Sequence, residues 1–198
     1  NMDEFHIPGD GWISSYYGFR QSGWHAGVDI GIYHWHPIHS IFPGVVRFAR
    51  SYGGYGRVVV IRHDNGLETY YAHLSSIKVK PGERVNAGDI IGTSGNSGRS
   101  RGTHLHFEIR YKGTPINPSH IIDFKEKKLL YSEIILKRYN DLSYFVYSED
   151  AILYKVKKGD YLYKIANEFG TTISKICDIN GINRRSMLRV GQVLRIHM

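Results

Sequence analysis

Cysteine is nearly absent. The single thiol, Cys177, has no partner in this 198-residue chain, so no internal disulfide can staple the fold. It falls in an apolar helical stretch, 173 to 179, and reads as a buried structural thiol. Long apolar runs are also missing, and none is long enough to span a membrane as a helix. Acidic residues are few, 18 against 26 Lys and Arg, and the formal net charge of +8 favours an anionic partner. No nucleic-acid motif accompanies that charge, so nucleic acid is not the expected partner and a carboxylate-rich polymer suits it as well. A His-Glu-x-x-His helix does not occur, which removes the glutamate base of that class of zinc protease. No signal peptide is visible, and an export signal removed ahead of Asn1-Met2 is compatible with this start.

Histidine, by contrast, is abundant at 11 residues, and several stand in suggestive spacing. His25-Ala-Gly-Val-Asp29 and His104-Leu-His106 each place two donor residues on one side of an extended strand, because successive side chains alternate faces. Two imidazoles and a carboxylate would leave zinc a fourth, open position, which is the pattern of a catalytic site. His73 lies between the two motifs in Tyr70-Tyr-Ala-His73-Leu74. Strict alternation puts Leu67, Thr69, Tyr71 and His73 on one strand face and turns Tyr70 and Ala72 away. Val58-Val-Val-Ile61 followed by Asp64-Asn-Gly66 reads as a hairpin with the turn chemistry a tight connection requires.

From Tyr17 to Pro118 the ordered series Gly-Phe-Arg20, His25-x-x-x-Asp29, Gly-Tyr-Gly56, Tyr-Ala-His-Leu74, Gly88-Asp-x-Ile-Gly92, Gly95-Asn-Ser-Gly98, His104-Leu-His-Phe-Glu108 and Asn-Pro118 resembles the lysostaphin-type zinc metallopeptidases. These cut the peptide part of bacterial cell wall. The resemblance implies that His25, Asp29 and His106 hold zinc, and that His73 and His104 are the catalytic histidines that do not bind it. It also implies a mainly β catalytic domain, an antiparallel β-sheet groove with zinc on its floor. Frequent short alternating runs and glycine turns agree with that architecture.

Several residues near these motifs invite further readings. Glu108 shares a face with His104 and His106 and is either an acceptor that fixes an imidazole tautomer or a solvated strand glutamate. Arg99 and Arg101 precede the His-Leu-His strand and suit carboxylates of a stem peptide, which favours a diaminopimelate cross-link as the bond cut. Tyr33-His-Trp-His-Pro-Ile-His39 departs from the family's usual pattern. His34, His36 and His39 offer a second metal site, but a groove rim with Trp35 as a stacking surface is the more economical reading. His6 belongs to an N-terminal arm spanning 1–11, although it is a titratable residue within conceivable reach of the metal.

The C-terminal stretch 152–198 resembles a lysin motif (LysM), a small βααβ module that binds N-acetylglucosamine polymers. Asp160 is placed to cap a helix carrying Leu162, Ile165, Ala166 and Phe169; Thr172 is placed to cap a second with Ile173, Ile176 and Ile179 inward. Val193, Leu194 and Ile196 close a short antiparallel pair. Glycan contacts are expected at Gly159, Asp160, Asn180 and Asn183. Between the peptidase-like stretch 12–122 and this module, residues 123–151 are too apolar for a flexible tether and are expected to pack. The expectation is therefore an exported enzyme of the periplasm, envelope or medium. It would hydrolyse peptidoglycan stem peptides or cross-links, with Zn2+ as cofactor and wall glycan as anchor. The competing readings are a non-catalytic activator of other wall hydrolases and a wall-binding scaffold with structural zinc.

Overall fold

The computed structural model describes residues 4–20, 23–140, 143–148 and 151–196. Its centre is an eight-stranded antiparallel sheet. In order across the sheet run Trp12–Ser15, Val28–Gly31, His104–Tyr111, Leu67–Leu74, Arg57–His63, Gly44–Ser51 and Arg84–Val85, with Thr114–Ile116 also paired to His104–Tyr111. The hairpin at 57–74 turns at Asp64-Asn-Gly66 as the sequence predicts: Gly66 has φ 83° and Asn65 Oδ1 accepts from Leu67 N.

Alternation sorts the two faces of this sheet. Val28 and Ile30, Leu105, Phe107 and Ile109, Leu67 and Tyr71, and Val59 and Ile61 all enter one buried core with Ile38, Ile41, Phe42 and Ile91. Asp29, His104, His106, Glu108, Tyr70 and Ala72 therefore look the other way, with His106 registered against both Asp29 and Ala72. One polar chain crosses the core. Ile41 N donates to Tyr71 Oη, Thr69 Oγ1 lies 3.0 Å from Tyr71 Oη and 2.7 Å from His63 Nε2, and His63 Nδ1 donates to Pro43 O. Each buried group is thereby satisfied.

The N-terminal arm is tied to this core from Phe5 onward; residues 1–3 lie outside the described part. Phe5 packs on Phe42, and His6 lies beside His39 with ring centroids 4.6 Å apart. The described part of the 123–151 segment forms paired strands. Lys128–Leu129 pairs with Ile122–Asp123, Ile135–Asn140 pairs with Ser143–Tyr147, and Leu129, Leu136 and Val146 join the main core.

The C-terminal module is βααβ. Ile152–Lys155 pairs with Val193–Ile196, and helices α1 (Leu162–Glu168) and α2 (Ile173–Asn180) pack over them around Val156, Ile165, Ile176, Cys177 and Leu194. Thr172 caps α2 by accepting from Lys175 N. Asp160 does not cap α1: Tyr161 holds that position, and the Asp160 carboxylate instead accepts from Tyr154 Oη, Lys157 N and Lys164 Nζ. Among the described residues the module meets the sheet domain near Arg195 and at the end of α2, where His120 Nε2 lies 3.4 Å from Asn180 O. Arg195 is buried and donates to Val146 O at 3.2 Å, while Gly181, at φ 61°, lies against Asn117.

Candidate metal centre

Three donors converge where the main sheet meets a small hairpin. His25 ends the Gly23–His25 strand, which pairs with Gly18–Arg20, while Asp29 sits in the main sheet beside His106. His25 and Asp29 thus meet from two strands; they do not share one extended strand, as the spacing alone suggests. Gly27 makes the crossing possible, since a Cβ there would stand 2.2 Å from Phe107 O.

His25 Nε2 lies 3.0 Å from Asp29 Oδ1 and 3.0 Å from His106 Nδ1, and His106 Nδ1 lies 2.9 Å from Asp29 Oδ1. The outer nitrogens decide what these atoms carry. His25 Nδ1 lies 2.8 Å from Tyr16 O, to which a ring N–H can only donate, and also contacts the Arg20 guanidinium, while His106 Nε2 donates to Glu108 Oε1 at 2.8 Å. In neutral rings both inner nitrogens are then lone pairs facing a carboxylate oxygen, a triangle of acceptors with no proton between them. Such a set fits a cation. The edges are close to the ~3.3 Å that separates ligands on a tetrahedral zinc bonded at about 2.0–2.1 Å. Without the ion the same demand for positive charge falls on His106. Burial opposes its protonation, but hydrogen bonds to Asp29 and Glu108 outweigh burial and push it up to about 8.

Around the donors stands a shell of oriented groups. Arg20 donates to Asp29 Oδ2 at 3.1 Å. Glu108 is fully buried and is an internal acceptor rather than a solvated glutamate. Its Oε1 accepts from His106 and from Tyr55 Oη at 2.8 Å, and its Oε2 from Arg110 Nε at 2.6 Å. Burial alone would raise the Glu108 carboxyl, but the bonds from His106 and Arg110 hold it below the ordinary glutamate range. Sequence reasoning missed Tyr55 and Arg110. Arg110 was signalled by its place two residues beyond Glu108 on one strand face, whereas Tyr55, though inside the Gly-Tyr-Gly56 motif, comes from a separate 3-10 turn, Gly53–Tyr55, and no spacing tied it to Glu108.

His73 and His104 flank the triangle, their ring centroids 4.8 Å apart and His73 5.8 Å from His106. His104 Nδ1 donates to Gly102 O, leaving Nε2 3.7 Å from Asp29 Oδ1. The route of His73 to the site corrects the alternation argument. Tyr71 faces the core, and Tyr70 and Ala72 face the site. His73 joins them because Ala72 and His73 together oppose the single Val58, a bulge with His73 at φ 62°. Its Nδ1 donates to Ser97 O at 2.8 Å, and burial lowers the ring to about 4, keeping it neutral with Nε2 as a lone pair.

The remaining candidates lie apart from the triangle. Arg99 and Arg101 are exposed on the loop before His104, and Arg99 N donates to Gly54 O. Neither guanidinium enters an ion pair among the described residues. Trp35 is exposed on a turn whose backbone is bonded to Ser94. His34, His36 and His39 do not converge: among the described residues the three-donor cluster is His25, Asp29 and His106, and His39 Nδ1 donates to Gly88 O. In the C-terminal module Gly159 is an exposed turn glycine, while the Asp160 side chain is buried in its three bonds. Asn180 bridges Ile176 O and Arg195 O through Nδ2 and takes Arg195 N on Oδ1. Asn183 is exposed, with its Oδ1 accepting from Arg185 N. Asp160 and Asn180 thus use their side chains in hydrogen bonds that hold the module together.

Residues 23–118 match the family model Peptidase family M23, and residues 154–197 match the LysM domain. The chain is 44% identical over 112 residues to DD-carboxypeptidase/endopeptidase Mpg of Neisseria meningitidis, covering 54% of this chain and 26% of that protein. It is 37% identical over 112 residues to the murein hydrolase activator NlpD of Salmonella typhimurium, covering 56% and 29%. The chain therefore spans about a quarter of the length of these curated relatives. A zinc-containing peptidase from Vibrio cholerae superposes with TM-score 0.55 at 30% identity, covering 59% of this chain and 39% of that one. The catalytic domain of EnpA from Enterococcus faecalis superposes with TM-score 0.53 at 34% identity, covering 58% and 94%. Sequence motifs, sheet and donor triangle agree with these likenesses: the chain belongs to peptidase family M23, of the lysostaphin type, and carries a C-terminal LysM domain.

Proposed function

We propose that this protein is a zinc-dependent endopeptidase that hydrolyses peptide cross-links or stem peptides of bacterial peptidoglycan in the cell envelope, held to wall glycan by its LysM domain. The observation that carries the reading is the triangle of lone pairs on His25, Asp29 and His106 with two further histidines at its open side. When bound there, zinc supplies a Lewis acid for the scissile carbonyl and lowers the pKa of water.

The chain's own residues do the proton work. His73 and His104 each donate Nδ1–H to a backbone carbonyl, Ser97 and Gly102, so each neutral ring presents the Nε2 lone pair to the cleft. One of them takes a proton from the attacking water and can return it, from the same nitrogen, to the leaving amine. The other, when it carries a second proton on Nε2, donates from there to the charge that develops on the carbonyl oxygen. Arg99 and Arg101, exposed on the adjoining loop, suit the extra carboxylate of a diaminopimelate cross-link.

Identity to a murein hydrolase activator supports a second reading, in which the same fold binds and stimulates another hydrolase. Mass spectrometry of peptidoglycan digested by the purified protein, with zinc and with a His106→Ala control, separates the two. Cross-linked dimers falling to monomers in the wild type alone support the enzyme and name the bond. Intact dimers in both favour the activator.

A further inference from the structure

The turn at Tyr33-His-Trp-His36 carries a conformational cost at an exposed aromatic residue. Trp35 has φ 66°, the left-handed region that bulky side chains avoid and glycine tolerates. Its side chain does not enter the core in return: Trp35 is 65% exposed and Tyr33 72% exposed. Yet the turn is firmly held. The buried Ser94 takes Trp35 N on its carbonyl and His36 N on its hydroxyl, donates its own N–H to His36 O, and bonds Tyr33 O through Oγ at 2.5 Å. Gly95, the next residue, bridges to His104, so the clamp adjoins the catalytic cleft. His34 stacks on one side of the indole, with rings at 21° and centroids 4.8 Å apart, and steadies its plane.

We propose that Trp35, with Tyr33 beside it, is a stacking platform for a pyranose ring of the glycan strand, which makes glycan-attached peptide rather than free peptide the preferred substrate. This rests on the endopeptidase reading above. Backbone strain retained at an exposed aromatic points to a ligand. The chemistry of the turn names it. The stretch 33–39 carries no Asp, Glu, Lys or Arg, so it sets no acidic or Lys/Arg charge against the carboxylates of a stem peptide. A sugar has an apolar C–H face for the indole and polar edges for the Tyr33 hydroxyl and the His34 and His36 rings. The glycan is also the neighbour that a stem peptide in the cleft brings with it.

Two measurements on the full chain test this. In the first, the 15N-labelled protein is titrated with chitotetraose, and the indole N–H of Trp35 is assigned by its loss in Trp35→Phe. A saturable shift of that signal is expected; an unmoved signal overturns the platform. In the second, turnover is compared on a cross-linked dimer that retains its sugars and on the same dimer freed of them. Trp35→Gly, which suits the left-handed turn and should melt no lower than wild type, is expected to raise KM for the sugar-bearing dimer about tenfold, with kcat and the sugar-free dimer unchanged. Trp35→Phe should restore KM. Equal effects of Trp35→Gly on both dimers overturn the proposal. Failure of the wild type to cut either dimer instead overturns the endopeptidase reading, and the indole titration still decides whether the platform binds sugar.

Discussion

His106 and Glu108, two residues apart on one strand face, are joined by a hydrogen bond of 2.8 Å from imidazole Nε2 to carboxylate Oε1. That bond turns the Nδ1 lone pair of His106 toward His25 and Asp29, and it is itself held by Tyr55 and Arg110. The strand's period of two thus delivers a donor and the group that orients it in one stroke.

Glu108→Gln should therefore weaken zinc binding by roughly 10–100-fold, the usual loss when a ligand's supporting acceptor is changed. Competition with a chelator of known affinity measures it. Unchanged affinity would mean that the ring is oriented without the carboxylate. Glu108→Leu should also cost about 3–5 kcal/mol of stability, because it leaves the Arg110 cation half-buried without its partner.

His73→Ala and His104→Ala should each lower turnover by roughly 10²–10⁴-fold, the range for a lost general base or oxyanion donor. Both should retain one zinc per chain, read by elemental analysis after dialysis. Loss of zinc in either would exchange that residue's role with one of the three ligands.

His63 sits in the core with its pKa lowered to about 4, chiefly by burial, from the ordinary 6.5. Between those values the unfolded chain binds a proton that the native ring refuses. Stability is accordingly full above about pH 6.5 and falls as the pH drops toward 4, by up to about 3 kcal/mol. Urea unfolding at pH 7.5 and pH 5 should show this loss in wild type and a smaller one in His63→Gln. Equal losses in the two proteins would remove His63 from the account.

Gly181→Ala should loosen the LysM domain from the sheet domain. The residue has φ 61°, and a Cβ would lie 2.7 Å from Asn117 Nδ2. The left-handed backbone alone costs an alanine about 1–2 kcal/mol. Differential scanning calorimetry should show the C-terminal module melting earlier while the sheet domain keeps its transition. An unaltered melting profile would show that this contact is dispensable.

Much of the sheet was readable because its signals are local. The Asp64-Asn-Gly66 turn, the alternating runs around it and the Thr172 cap each depend on neighbouring residues alone. The donor residues were readable by kind and spacing. What local pattern could not show was a register shift. One extra residue in the Leu67–Leu74 strand moves His73 from the core face to the site face, and nothing in Tyr-Tyr-Ala-His announces it.

The sequence by itself determined the order of modules, the absence of a disulfide within these 198 residues, and which side chains are available to bind a metal, since these follow from residue identity and short-range periodicity. Only the tertiary structure decided where those side chains are used. It carried His73 across the sheet by a bulge, brought Tyr55 from a distant turn to Glu108, and took Asp160 and Asn180 for internal hydrogen bonds. The reason is that a buried polar group must find a partner wherever the fold places one, and that partner is set by strand register and packing rather than by nearness in the chain.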